Sequence, residues 1–311
     1  MSLKQFNEIS KNDAPIAGGK GASLGEMTQA GIPVPPGFVV LADSFKEFIV
    51  KNNLKDEIDK TLKTVDVQKT ETVDAASEKI RKLIKDGQTP PEIDKAVMAA
   101  FDELKAEYVA VRSSATAEDS STASWAGELE TYLNTTKENL LDTVKKCWSS
   151  LFTPRAIFYR IEKKMAADEV AVAVVVQKMV ESEIAGVAFT VHPVTKDPNS
   201  MVIEAGWGLG EAIVGGQVTP DTYTIDKTKN TISDIYQSEQ EIMIDKVDGK
   251  TQEVPVPEEK KAKQKLDEAQ ILELAKICTK IEKDYGKPQD IEWAWESGKF
   301  YIVQSRPITT L

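Results

Sequence analysis

Three features of this 311-residue chain have residue types suited to phosphate chemistry. The first is IAGGKGASLGEM, residues 16–27, which sets Lys20 among four glycines. A P-loop of the form G-x-x-x-x-G-K-[ST] needs Ser or Thr directly after its lysine to reach the metal. Here Gly21 follows, so the stretch is not a Walker A motif, although its backbone N–H groups and one ammonium can still meet a phosphate. The second is Arg112, at the end of the apolar run YVAV and ahead of a loop rich in Ser, Thr and Ala. An arginine leaving a buried strand is suited to meeting an anion. The third is the closing segment DIEWAWESGKFYIVQSR, with Asp290, Glu292, Gln304 and Arg306.

Magnesium takes one or two protein oxygens and completes its octahedron with phosphates and water. Strand alternation puts Asp290 with Glu292, and Gln304 with Arg306, on one face of their respective strands. A two-residue Ser297-Gly298 turn pairs Glu292 with Val303, which sends Glu292 and Gln304 to opposite sides of the sheet. A shared metal site therefore requires an odd-length loop or a β-bulge. Taken alone, the segment reads equally well as a hairpin with a tryptophan face and a solvated charged face. His192, the single histidine, stands before a proline in a turn-like HPVT and reads as a polar loop residue.

The elements that must position these residues follow from periodicity and caps. A short amphipathic helix follows the Lys20 loop and stops at Gly31; IPVPPGFVVL then runs extended into a strand. Ser44 with Glu47 predicts a capped helix starting near Phe45, and Thr89-Pro90-Pro91-Glu92 another helix start. Residues 51–107 read as charged helices with solvated faces. Helices also follow Thr135 and Thr153-Pro154. Residues 170–180 read as a buried strand, and further strands fall at 187–191 and 201–205. GWGLGE turns into a helix, and 223–256 forms hairpins with turns at Lys229-Asn230 and Asp248-Gly249. Asp267 with Gln270 caps a long helix that ends at Gly286 and Pro288. The sum is an α+β chain of antiparallel hairpins. Two parts are expected: 1–108, with the Lys20 loop and charged helices, and 109–311, with the Arg112 loop, the 170–180 strand and the hairpin 290–306.

Composition narrows the classes. Hydrophobic residues make up 41% and charged residues 29%, an ordinary globular balance, and the net charge of −11 argues against a nucleic-acid partner. Cys147 and Cys278 lack metal-like spacing and read as buried free thiols. No h-region opens the chain and no apolar run is long enough to cross a membrane, so a cytoplasmic protein is expected.

Eight motifs, in order, resemble one family: GGKGASLGEM, IPVPPGFVV, VAVRSSATAEDSSTASWAGELETYLN, SLFTPRAIFYR, VVVQKMV, GVAFTVHPVT, GWGLGEAIVGGQVTPDTY and DIEWAWESGKFYIVQSRPIT. They look like the ATP-binding domain of the phosphoenolpyruvate synthase and pyruvate phosphate dikinase family, to which rifampin phosphotransferase is related. The wording is nearest to phosphoenolpyruvate synthase. The resemblance implies an ATP-grasp fold, in which subdomains clasp the nucleotide. It implies that Lys20, Arg112 and Arg306 contact ATP phosphates and that Gly127 and Thr131 belong to a phosphate-covering segment. Gln177 and Met179 would line the adenine slot. Glu292 and Gln304 would bind Mg2+, with Asp290 in support. The loop 113–126 is the expected mobile cover. No segment resembles the family's phosphohistidine motif, so the histidine acceptor is expected on a swivelling domain, in cis or in trans. The alternatives are a module that only binds ATP or regulates a partner, and the ATP-binding part of a rifampin-type phosphotransferase.

Overall fold

The computed structural model describes residues 2–116, 119–120, 123–124, 130–163 and 171–308. Its contacts divide the chain into two compact units, Met1–Glu26 with Pro36–Met179, and Met27–Pro35 with Val180–Leu311.

The first unit is built on an antiparallel five-stranded sheet in the order β1 (Leu3–Gln5), β2 (Gly37–Val40), β7 (Val172–Lys178), β3 (Val109–Ala115) and β6 (Thr131–Thr135). The short β4 (Asp119–Ser120) and β5 (Ala123–Ser124) pair with each other. The boundary expected after residue 108 falls inside this unit, because β3 pairs with β7 along its whole length. One face of the sheet carries Phe38, Val40, Val109, Val111, Val172, Val174 and Val176. It is covered by the apolar sides of α2 (Ala42–Lys51), α4 (Thr70–Asp86), α5 (Pro91–Leu104), α6 (Leu140–Ser149) and α7 (Pro154–Glu162), joined by α3 (Lys55–Leu62). Phe45, Phe48 and Trp148 interlock there, with ring centroids 5.9 and 5.0 Å from the tryptophan.

Two expected helix starts differ in detail. α2 begins at Ala42, after an uncapped Leu41, rather than near Phe45. The Ser44 hydroxyl donates to Ser2 O at 2.8 Å instead of capping its own helix. α5 starts at Pro91 behind an N-cap Pro90 that offers no side-chain bond. The stretch expected as a loop around Lys20 is largely helical: α1 (Ala14–Gln29) is broken only at Gly18, where φ is 70° and ψ 170°.

The second unit has an antiparallel six-stranded sheet, ordered β11 (Thr231–Tyr236), β10 (Asp221–Asp226), β9 (Ser200–Trp207), β8 (Ile184–Phe189), β14 (Gln289–Glu296) and β15 (Lys299–Pro307). β12 (Ile242–Val247) and β13 (Lys250–Pro255) form a separate hairpin, turned by Asp248 and Gly249, both at positive φ. α8 (Glu211–Val214) and α9 (Glu258–Lys261) are single turns. α10 (Glu268–Tyr285) has the predicted reciprocal cap, Asp267 with Gln270, and ends at Gly286 in the left-handed conformation. It buries Ile271, Leu274, Cys278 and Ile281 and lies against β9, β11 and β14.

A fully buried ion pair ties the connections of this unit together. Lys265 Nζ meets Asp221 Oδ1 at 2.8 Å with both side chains at 0% exposure. The same carboxylate accepts from Ser238 N, Lys265 N and the Tyr223 hydroxyl. Both cysteines are buried and free, as expected. Burial pushes the Cys147 thiol up to about 12 and the Cys278 thiol higher than usual as well. Among the described residues no helix is long and apolar enough to cross a membrane.

Candidate functional site

In the first unit, alternation separates the apolar core from the polar candidates. Arg112 and Ser114 on β3 point away from the helix-covered face, and so do their β7 partners Val175 and Ala173. Gln177 pairs with Ala110 on one side and Gly37 on the other, which places it on that same face. Thr131 pairs with Arg112 across β3 and β6. Arg112 is only 9% exposed, so its charge is held close to the sheet.

The Lys20 segment lies on this face through Ser114. The Ser114 hydroxyl donates to Ala17 O at 3.0 Å and accepts from Gly21 N at 3.2 Å, bridging the break in α1. A Cβ at Gly18 would stand 2.2 Å from Ser114 Oγ and 2.4 Å from Ser114 O. Glycine is needed there twice over, for its dihedrals and for that approach. A hydroxyl from β3 thus caps a helix start beside Lys20, and the backbone that carries Lys20 packs on the sheet face that carries Arg112.

Glu130, just ahead of Thr131, is clamped. Arg81 of α4 donates to both of its oxygens at 2.8 and 2.9 Å, and the Tyr132 hydroxyl donates at 2.5 Å. Burial and this carboxylate push the Tyr132 phenol up. The Glu130 carbonyl accepts from both N and Oγ of Ser113. Met179 follows β7, half-buried, with its N–H donated to Tyr108 O at 3.1 Å. Gln177 is 2% exposed, and among the described residues its Nε2 has no hydrogen-bond partner. A buried amide left in that state is expected to meet a ligand or water. Of the cover expected at 113–126, residues 113–115 are the end of β3, while 117–118, 121–122 and 125–126 lie outside the described residues, as does Gly127.

In the second unit, the hairpin has the bulge that a shared metal site requires. The turn is the two-residue Ser297-Gly298, and the register runs plainly from Glu296–Lys299 to Trp293–Ile302. It then shifts, so that Glu292 faces Gln304 and Asp290 faces Arg306. Gln304 Nε2 donates to Glu292 Oε1 at 3.1 Å. Arg306 holds Asp290 Oδ2 through Nε at 2.8 Å and a terminal nitrogen at 2.7 Å. The opposite face carries Trp293 and Trp295 against Phe300, with centroids 5.6 and 4.5 Å apart.

Glu204 is a neighbour the sequence reading passed over. It reaches the Asp290–Glu292 face because β9 pairs it with Val187, which pairs with Glu292. A lone acid in the apolar run MVIEAG was the available signal. Burial pushes both Glu204 and Asp290 up; each is raised further by a nearby carboxylate, while Arg306 opposes the rise at Asp290. Among the described residues no group of three or more His, Cys, Asp or Glu side chains is placed to hold a metal. One carboxylate and one amide oxygen remain, a donor set that fits Mg2+ carried with phosphates. His192 has the loop role expected of it: its Nδ1 accepts from Val194 N and Thr195 N, both at 3.2 Å.

The family model described as "Pyruvate phosphate dikinase, AMP/ATP-binding domain" matches residues 14–311. The probable phosphoenolpyruvate synthase of Archaeoglobus fulgidus is 51% identical over 100% of this chain and 42% of its own length. That of Methanocaldococcus jannaschii is also 51% identical, over 98% of this chain and 26% of its own length. The rifampicin phosphotransferase of Bacillus cereus is 39% identical over 98% of this chain and 36% of its own length. The chain therefore spans well under half the length of these curated relatives. The α+β architecture of antiparallel sheets and helices is of the ATP-grasp type the resemblance implied.

Proposed function

This chain belongs to the pyruvate phosphate dikinase AMP/ATP-binding domain family, and from that premise we propose that it binds Mg-ATP and donates phosphate to a histidine on a separate swivelling domain. Phosphoenolpyruvate synthesis from pyruvate is the overall reaction this serves, because relatives 51% identical to this chain carry that name. The observation that carries the reading is the bulged hairpin, which turns Glu292 and Gln304 to one side.

Each residue has a task. Lys20 and Arg112 meet phosphate oxygens with an ammonium and a guanidinium, and Arg306 clamps them with a planar fork. Glu292 and Gln304 offer the two oxygens for Mg2+, and Asp290 holds Arg306 in orientation. Gln177 offers the adenine its Nε2, which has no partner among the described residues, with Met179 beside it. Thr131, on the strand that begins after Glu130, belongs with Gly127 to the segment that covers the phosphates. Magnesium, when bound, offsets charge on the phosphoryl oxygens, the main demand of such transfers.

The test is to mix the chain with a histidine-bearing swivelling domain and labelled ATP, then follow label on the histidine and release of AMP. Transfer supports the proposal. Tight Mg-ATP binding without transfer refutes it and leaves a module that only binds. Lys20→Ala removes one charged contact of about 1.5–3 kcal/mol, so ATP affinity falls about ten- to a hundredfold. Unchanged affinity removes Lys20 from the site.

A further inference from the structure

The turn and the bulge of the terminal hairpin ask for different registers. Continued without a bulge, the Ser297-Gly298 turn sets Glu292 opposite Val303, Ile291 opposite Gln304 and Asp290 opposite Ser305. Gln304 would then lie on the tryptophan face, and Arg306 would lie opposite the buried Gln289. Some interaction must favour the shifted register, and it is found on the face away from the candidate ligands.

Ser305 is 3% exposed and donates from Oγ to Gln289 Oε1 at 2.8 Å. Gln289 is 0% exposed, and its Nε2 donates to Lys287 O at 3.1 Å and Pro288 O at 3.2 Å. Its main chain is fastened to Thr190, which donates its N–H to Gln289 O at 3.0 Å. The Thr190 hydroxyl accepts from Gln289 N at 2.9 Å. That hydroxyl donates in turn to Glu282 Oε1 at 3.0 Å, and Lys227 Nζ pairs with the other carboxylate oxygen at 2.6 Å. Gln289 is thus a fixed point, and Ser305 reaches it only with the extra residue in β15. Beyond the bulge, Ile302 donates its N–H to Pro33 O at 2.9 Å. In the plain register Ser305 would leave the buried face, and Gln289 Oε1 would lose this donor while staying out of water.

We propose that Ser305 and Gln289 are positioning residues whose buried hydrogen bond selects the bulged register and so holds Gln304 and Arg306 on the face of Glu292 and Asp290. The register claim stands on the hairpin itself; its effect on nucleotide binding rests on the function proposed above. The two are separated by reading Mg-ATP affinity by calorimetry alongside amide hydrogen exchange of residues 289–307, in the full 311-residue chain.

Ser305→Ala removes one neutral buried hydrogen bond, so Mg-ATP affinity falls about five- to tenfold. Exchange in 289–307 quickens, while 221–236 keeps its protection. Ser305→Thr retains the hydroxyl and restores both. Gln289→Leu acts in the direction of Ser305→Ala and serves if that variant folds poorly. Wild-type affinity in Ser305→Ala, with affinity lost in Glu292→Ala, overturns the positioning role and spares the site. Faster exchange in Ser305→Ala, with affinity unchanged in both variants, sinks the site and leaves the register lock standing. Failure of Ser305→Thr to restore either measurement shows that the hydroxyl is not the agent, and overturns the proposal.

Discussion

Arg306→Ala puts the proposed phosphate clamp to its hardest test, because the structure predicts two separate effects. Arg306 is half-exposed and grips a single oxygen of Asp290 with two nitrogens, at 2.8 and 2.7 Å. Removing it deletes one charge-assisted phosphate contact, about 1.5–3 kcal/mol, so Mg-ATP affinity falls about ten- to a hundredfold. Arg306→Lys keeps the charge and loses the fork, and falls between the two. The second effect concerns Asp290. Burial pushes its carboxyl up, Glu292 adds to this, and Arg306 is what opposes it. An acid whose native pKa is raised contributes stability below its unfolded pKa, and that contribution is lost as pH climbs through the native value. Without Arg306 the native pKa rises further. The penalty for an ionised Asp290 then grows at neutral pH and vanishes in acid. The melting-temperature deficit of the variant should therefore be larger near about pH 7.5 than near about pH 4, around the ordinary aspartate range. Calorimetric titration with Mg-ATP reads the first effect, and thermal melts across pH read the second. Wild-type affinity refutes the clamp, and a deficit that does not change with pH refutes the coupling to Asp290.

Three further predictions rest on contacts within single units. Gly18→Ala forces a side chain into dihedrals open essentially to glycine, about 1–3 kcal/mol of strain, and drives Cβ to 2.2 Å from Ser114 Oγ. It should lower thermal stability and weaken ATP binding through the neighbouring Lys20, and normal binding would detach that segment of α1 from the site. Lys265→Met strands the fully buried Asp221 carboxylate and should cost about 3–5 kcal/mol in urea denaturation. The double variant Asp221→Asn with Lys265→Met should recover part of that loss; no recovery means the pair is not coupled. Cys147 and Cys278, buried with raised thiol pKa values, should resist a thiol reagent at mildly alkaline pH until the chain is denatured.

Local chemistry alone determined much of this protein. The Asp267–Gln270 cap, the Asp248-Gly249 turn, the buried strand within 170–180 and the terminal hairpin are each specified by neighbours a few residues apart. Apolar runs identified β3 and β7, and alternation along them assigns Arg112 and Gln177 to the face away from the core. Where the sequence reading missed, a distant partner had overridden a local signal. Ser44 looks like a cap, yet its hydroxyl is taken by Ser2 O, and the helix begins two residues earlier. The Lys20 stretch looks like a loop, yet Ser114 bridges a single broken dihedral pair within a helix.

The register of the terminal hairpin separates the two kinds of information most clearly. Residue spacing could state the condition, a bulge or an odd loop, because side chains alternate with a period of two. It could not say whether the condition is met. That depends on the buried amide of Gln289, fastened by Thr190 just past the end of β8 and by Ser305 across the hairpin. Only the folded second unit brings these groups together, and leaving a buried amide oxygen without its donor costs about 1–3 kcal/mol, which the bulged register avoids.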